Sequence, residues 1–165
     1  MHLPEPRSPS NHYAIGLVCL GNICRSPVAD VVLSARVGAA GLDDRVTVAS
    51  CGTGGWHVGD PMDRRSAATL TAQGYDATRH RAQQYDASWA ERFDLLLAMD
   101  EQNLADLGGR SARAGLFGDF DPEGPGGVVP DPYYGGAIGF EEVLAMVERT
   151  SDVIVELLDG ILGRA

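Results

Sequence analysis

The run YAIGLVC at residues 13–19 carries no charged side chain, and it is followed almost at once by Ser26-Pro27 and a stripe of Val28, Val31, Val32 and Ala35. A short apolar run closed by a turn reads as a buried strand. Pro in a first turn and apolar residues at helical spacing read as a helix start. A buried strand that feeds directly into a helix is the opening of an α/β unit, whose strands lie parallel beneath covering helices. The same alternation continues. Strands are predicted at Val46–Ser50, Phe93–Met99 and Ala114–Phe117. Helices are predicted at Ser26–Ala40, from Asp60-Pro61 to Gln73, at Asp100–Leu107 and at Phe140–Leu162. The expected fold is α/β, with a four-stranded parallel sheet flanked by helices on both faces, over residues 13–165. Residues 1–12, polar and proline-rich, are expected as a flexible N-terminal tail. A length of 165 residues fits one domain.

In open parallel sheets, ligands sit beyond the carboxyl ends of the strands. Cys19 falls there, and the segment Cys19-Leu20-Gly21-Asn22-Ile23-Cys24-Arg25-Ser26 links strand to helix. Such a turn can aim successive backbone N–H groups inward, and the helix N-terminus adds the positive end of its dipole. Gly21 permits a backbone path that a side chain would oppose. Asn22 tolerates the left-handed region and can brace the loop with its amide. Arg25 offers a planar fork to two phosphate oxygens. The same positive surroundings favour a thiolate at Cys19, and the Ser26 hydroxyl can donate to the sulfur. One turn thus holds a nucleophile and a cradle for a tetrahedral anion. A leaving ester oxygen also needs a proton. Asp131, between two prolines in Pro130-Asp131-Pro132-Tyr133-Tyr134, is the candidate, and the aromatic pair beside it can wall a slot for a flat group. This motif lies in a long Gly- and Pro-rich loop, Gly118–Gly139, of a length more often functional than connecting.

Composition removes several alternatives. The net charge is −10, and all 13 basic residues are Arg. An acidic chain is a poor partner for nucleic acid or an anionic membrane. The absence of Lys excludes Schiff-base chemistry and the nucleotide-binding loop that ends in Gly-Lys-Ser/Thr. Three cysteines make a poor disulfide framework, no apolar leader segment is visible, and no run is long enough to span a bilayer. A reduced, cytoplasmic location is expected. Export without a leader stays open.

The segment VCLGNICRSPVA together with DPYY resembles the low-molecular-weight protein tyrosine phosphatases, and the resemblance covers residues 14–162. WHVGD and DPYYG are similar to the actinobacterial branch. The resemblance implies a three-layer, Rossmann-like fold and metal-independent hydrolysis of protein phosphotyrosine through a phosphocysteine. It implies Cys19 as nucleophile, Arg25 as phosphate ligand and Asp131 as general acid and then base. Leu20, Gly21, Asn22, Ile23, Cys24 and Ser26 would form and support the phosphate loop, with Ser50 bracing Asn22. Trp56, His57, Tyr133 and Tyr134 would line the cleft mouth, and His80 would be structural. Ile23 and the Tyr133-Tyr134 pair resemble the tyrosine-specific branch; phosphoarginine relatives tend to carry Thr and Phe-Gly there. The implied partners are phosphotyrosine-containing proteins, with inorganic phosphate and other oxyanions as competing ligands. No cofactor or metal is implied, and a monomer is expected.

Cys24 is left between a structural thiol and a redox partner of Cys19, and Cys51 between packing and a third redox partner. A thiol-based arsenate reductase on this fold would need further cysteines, and none follows Cys51. A non-catalytic oxyanion binder would not need nucleophile, arginine and acid together. A zinc site of Cys19, Cys24, Cys51 and His57 lacks paired Cys spacings and would set a cation beside Arg25.

Overall fold

The computed structural model describes residues 2–7, 11–133 and 137–163. Four strands, β1 (Tyr13–Cys19), β2 (Val46–Gly52), β3 (Leu95–Ala98) and β4 (Ala114–Leu116), form one parallel sheet in the order β2-β1-β3-β4. The helices are α1 (Arg25–Ala39), α2 (Arg64–Ala72), α3 (Ser88–Arg92), α4 (Glu101–Asp106) and α5 (Ala137–Leu162). A 3₁₀ turn spans Phe117–Phe120. From β1 the chain crosses to one side for β2 and then to the other for β3. The crevice where the path reverses lies above the C-terminal end of β1, and Cys19 stands in it.

β1 is buried along its whole length because both faces are covered. Tyr13, Ile15, Leu17 and Cys19 face a core completed by Val32 and Leu33 of α1 and by Val147, Ile154 and Leu158 of α5. Ala14 and Val18 face the other way, onto Cys51, Trp89, Phe93 and Leu96. Trp89 and Phe93 stack at 4.6 Å between ring centroids. Among the described residues, no helix is long and apolar enough to cross a membrane.

Several expected boundaries move. The helix expected from Asp60 starts at Arg64, because tertiary bonds claim the backbone before it. The Asp60 N–H donates to the His57 carbonyl, the Asp60 carbonyl accepts from Ala82, and the Asp63 N–H donates to the Ile23 carbonyl. Asp63 is then the N-cap, its carboxylate accepting the Arg65 N–H at 2.8 Å. The third strand shortens at both ends, and α3, too short for a periodicity signal, precedes it. The loop expected over 118–139 gives up its start to the 3₁₀ turn and its end to α5. The described residues of the expected loose tail are docked. Leu3 is buried in the main core. The Arg7 N–H donates to Asp94 at 2.7 Å, and its guanidinium donates to the Phe93 and Ala90 carbonyls.

Candidate active site

The turn after β1 is shaped by where its carbonyls go. The Cys19 and Leu20 carbonyls accept from Thr53 and Gly54 N–H, and the Ile23 carbonyl accepts from Asp63 N–H. The Asn22 carbonyl accepts from His80 Nε2 at 2.7 Å, and the Cys24 carbonyl from Ser66 Oγ at 3.4 Å. In a trans peptide the N–H points opposite to the C=O. Carbonyls bonded to the surrounding protein therefore leave the N–H groups of residues 20, 21, 23, 24 and 25 on the inner side of the turn. One loop amide already points at the sulfur: the Asn22 N–H donates to Cys19 Sγ at 3.3 Å. The close seat of the turn on β2 requires Gly52. A Cβ there would meet the Leu20 carbonyl oxygen at 2.7 Å and the Asn22 nitrogen at 3.0 Å.

Asn22 is fully buried with φ 57°, a left-handed conformation that Asn tolerates better than most residues. Its Nδ2 donates to Ser26 Oγ at 2.8 Å and to Ser50 Oγ at 3.0 Å, and its Oδ1 accepts the Gln83 N–H at 2.9 Å. Ser50 in turn donates to Asp30 Oδ2 at 3.0 Å. Because Ser26 Oγ accepts from Asn22, its own hydrogen is shared between two acceptors, Cys19 Sγ at 2.9 Å and the Cys51 carbonyl at 3.5 Å, and the shorter contact is to the sulfur. The result is a directed chain of donors that ends on the sulfur. Burial pushes the Asp30 carboxyl up to about 6, against the pull of the Ser50 and Ser34 hydroxyls. Burial pulls the His80 imidazole down and favours its neutral form, consistent with Nε2–H donating to the loop.

Arg25, 4% exposed, is held from behind. Its Nη1 donates to Asp100 Oδ2 at 2.7 Å and to the Val129 carbonyl at 3.2 Å. Burial pushes the Asp100 carboxyl up. The Arg25 hydrogen bond and charge, with the backbone N–H groups of the α4 cap, outweigh that and leave it below its usual value. Asp131 Oδ2 stands 3.7 Å from Arg25 Nη2, and Oδ1 accepts the Tyr133 N–H at 3.0 Å. Burial, with the negative charge of Asp63 adding to it, pushes the Cys24 thiol up to about 12.

Cys19, Leu20, Gly21, Ile23, Cys24, Arg25, Trp56, His57, Asp131 and Tyr133 line one cavity of about 200 Å³. The structure thus brings the expected nucleophile, cradle, acid and rim together. Asn22, Ser26 and Ser50 lie behind the loop, buried. Tyr134 lies outside the described residues. Cys51 is fully buried against Val18, Trp89 and Phe93 on the opposite face of the sheet from Cys19. Among the described residues no group of His, Cys, Asp and Glu is arranged to hold a metal ion. Sequence reasoning gave Asp100 only as the first residue of a predicted helix. It missed the bond to Arg25, although Asp100 follows the C-terminal end of β3, beside β1, where site residues concentrate. Asp30, Gln83 and the Val129 carbonyl carried no signal.

A cysteine at the base of a strand-to-helix turn, with an arginine in the wall and a carboxylate across the cavity, is the arrangement of the cysteine-dependent phosphatase class. The family model described as low molecular weight phosphotyrosine protein phosphatase matches residues 14–160. The chain belongs to this family and is an enzyme. It is 44% identical over 162 residues to a low molecular weight protein-tyrosine-phosphatase of Streptomyces coelicolor, covering 93% of this chain and 98% of that protein. It is 41% identical over 155 residues to low molecular weight protein-tyrosine phosphatase A of Mycobacterium tuberculosis, covering 91% of this chain and 94% of that one. A crystal structure of a protein tyrosine phosphatase from Entamoeba histolytica, with Hepes in its active site, superposes with a TM-score of 0.84. That structure is 29% identical and covers 90% of this chain and 97% of its own.

Proposed function

We propose that this chain hydrolyses phosphotyrosine in proteins through a phosphocysteine at Cys19. One observation carries the reading: the outward-bonded carbonyls leave a ring of N–H groups and the Arg25 guanidinium around the Cys19 sulfur, opposite the Asp131 carboxyl. Phosphoryl transfer needs positioning and charge neutralisation at the equatorial oxygens, and these groups supply both from the protein alone. In the first step the sulfur anion attacks phosphorus. The bond to the tyrosine oxygen breaks, and Asp131 in its acid form gives that oxygen a proton. In the second step water attacks the phosphocysteine, Asp131 takes the proton from the water, and the P–S bond breaks. The Ser26 hydroxyl, aimed at the sulfur by Asn22, stabilises the departing thiolate. Asp100 holds the Arg25 fork from the side away from the cavity. Trp56 and Tyr133 at the rim favour a flat phenyl ring.

Inorganic phosphate and similar oxyanions compete for the same cradle. The substrates are phosphoproteins, met by a cytoplasmic monomer, and no cofactor enters the scheme. The test is a panel of peptides bearing phosphotyrosine, phosphoserine or phosphoarginine, assayed with EDTA present. Turnover of phosphotyrosine, abolished by Cys19→Ser and with phosphocysteine detectable after rapid quench, is expected. Undiminished activity of Cys19→Ser, or a preference for phosphoarginine, overturns the reading.

A further inference from the structure

The Arg65 side chain, on the exposed first turn of α2, touches none of the atoms assigned to the chemistry, yet it ties two of the elements that carry it. On one side its Nε and Nη2 grip the Asp63 carboxylate at 3.1 and 3.0 Å, and the Asp63 backbone N–H is bonded to the Ile23 carbonyl of the phosphate loop at 2.8 Å. On the other side its guanidinium lies 5.3 Å from the centroid of the Tyr133 ring and 4.8 Å from that of Phe140. Tyr133 donates its backbone N–H to Asp131. Phe140 belongs to the first turn of α5, just after the Asp131 loop.

The far flank of that loop is already secured by backbone. The Val129 N–H donates to the Met99 carbonyl, and the Val129 carbonyl accepts from Arg25. On the near flank the guanidinium contacts both aromatic rings, Tyr133 and Phe140. A planar cation fixed by a carboxylate fork on one edge suits this role, because its faces remain free to stack.

We infer that Arg65 is a positioning residue for the general acid: it straps the Asp131 loop to the phosphate loop through Asp63, Tyr133 and Phe140. The inference rests on the assignment of Asp131 as proton donor. It makes the value of Arg65 depend on how much the leaving oxygen needs a proton. A p-nitrophenolate leaves with little help, and an unsubstituted phenolate does not.

The experiment compares kcat/KM for phenyl phosphate and p-nitrophenyl phosphate in the wild type, Arg65→Ala, Asp131→Asn and the double variant, with Arg64→Ala as a neighbouring charge control. Arg65→Ala is expected to lose about tenfold on phenyl phosphate, a change of about 1.4 kcal/mol, and less than about threefold on p-nitrophenyl phosphate. In the Asp131→Asn background the same substitution is expected to cost almost nothing, because it acts through the missing acid. Inhibition by inorganic phosphate stays unchanged, and Arg64→Ala behaves as wild type. Equal losses on both substrates, or losses that add to those of Asp131→Asn, show a general structural or charge effect and overturn the inference. If Asp131→Asn itself does not distinguish the two substrates, the assignment of the acid fails and the inference falls with it. If Asp131→Asn distinguishes them and Arg65→Ala does not, the inference alone fails.

Discussion

Replacing Asn22 separates two contributions that the structure places in one side chain. Asn22→Ala keeps a Cβ at φ 57° and removes every side-chain bond of the residue. Asn22→Gly removes the same bonds but suits the backbone. The left-handed conformation costs a residue with a Cβ roughly 1–2 kcal/mol, and glycine returns about 0.5–1 kcal/mol of that through the freedom it gains when unfolded. The Ala variant is therefore expected to be less stable than the Gly variant by about 1 kcal/mol. Both lose the donor to the buried Ser26 and Ser50 hydroxyls and the acceptor for Gln83. A buried polar group left without its partner costs about 1–3 kcal/mol, and Ser26 and Ser50 keep other neighbours, so a total of roughly 2–4 kcal/mol is expected for Gly. Urea denaturation followed by tryptophan fluorescence reads these differences. Activity should report a separate effect. Without Asn22 Nδ2, the Ser26 hydroxyl is no longer oriented with its hydrogen toward the sulfur, so kcat should fall by at least about tenfold in both variants even where they are folded. A Gly variant as stable and as active as the wild type would refute the donor chain. An Ala variant at least as stable as Gly would refute the cost assigned to the backbone conformation.

Three other outcomes follow from neighbouring geometry. Because folding raises the Asp30 carboxyl to about 6, the folded chain retains a proton that the unfolded chain loses from about pH 4 upward, so this group lowers stability progressively as pH rises toward 6. Asp30→Asn should be more stable than wild type by on the order of 2 kcal/mol at pH 7 and equal to it near pH 4, measured as melting temperature against pH; a constant difference contradicts this. Gly52→Ala would drive a Cβ into the Leu20 carbonyl and the Asn22 nitrogen, so phosphate affinity by calorimetry should drop at least about tenfold, and an unchanged affinity would show that the loop is not seated on β2. Iodoacetate at pH 7, with peptide mapping, should label Cys19, with protection by phosphate, and spare Cys24, which burial keeps a thiol by pushing it up to about 12; comparable labelling of Cys24 would count against that burial.

The strand-to-helix cradle was legible because its chemistry is local. Cys19, Asn22, Arg25 and Ser26 fall within one turn, and Pro27 marks where the helix takes over. The order of the four strands and of every helix but α3 was legible for the same reason, since their signals are local, whereas α3 is too short to give one. What escaped the sequence depends on contacts between distant segments. Asp60-Pro61 satisfies the local rule for a helix start, yet backbone bonds to His57, Ala82 and the phosphate loop hold that stretch out of the helix and hand the cap to Asp63. Nothing near Asp100 indicates that Arg25 will reach it across two strand ends, and nothing near Asp30 indicates that Ser50 will donate to it. The opening residues look disordered by composition, but Leu3 and Arg7 find partners in a core and a strand end that only the folded chain assembles.

Cys19 and Asp131 come from opposite ends of the chain, and the loop that bears the acid is bounded by the final helix. During synthesis the sulfur and its cup therefore leave the ribosome long before the proposed proton donor does. Until α5 emerges, the face of β1 that bears Cys19 also lacks Val147, Ile154 and Leu158 from its core. On the proposed mechanism, competence arrives last, when α5 docks.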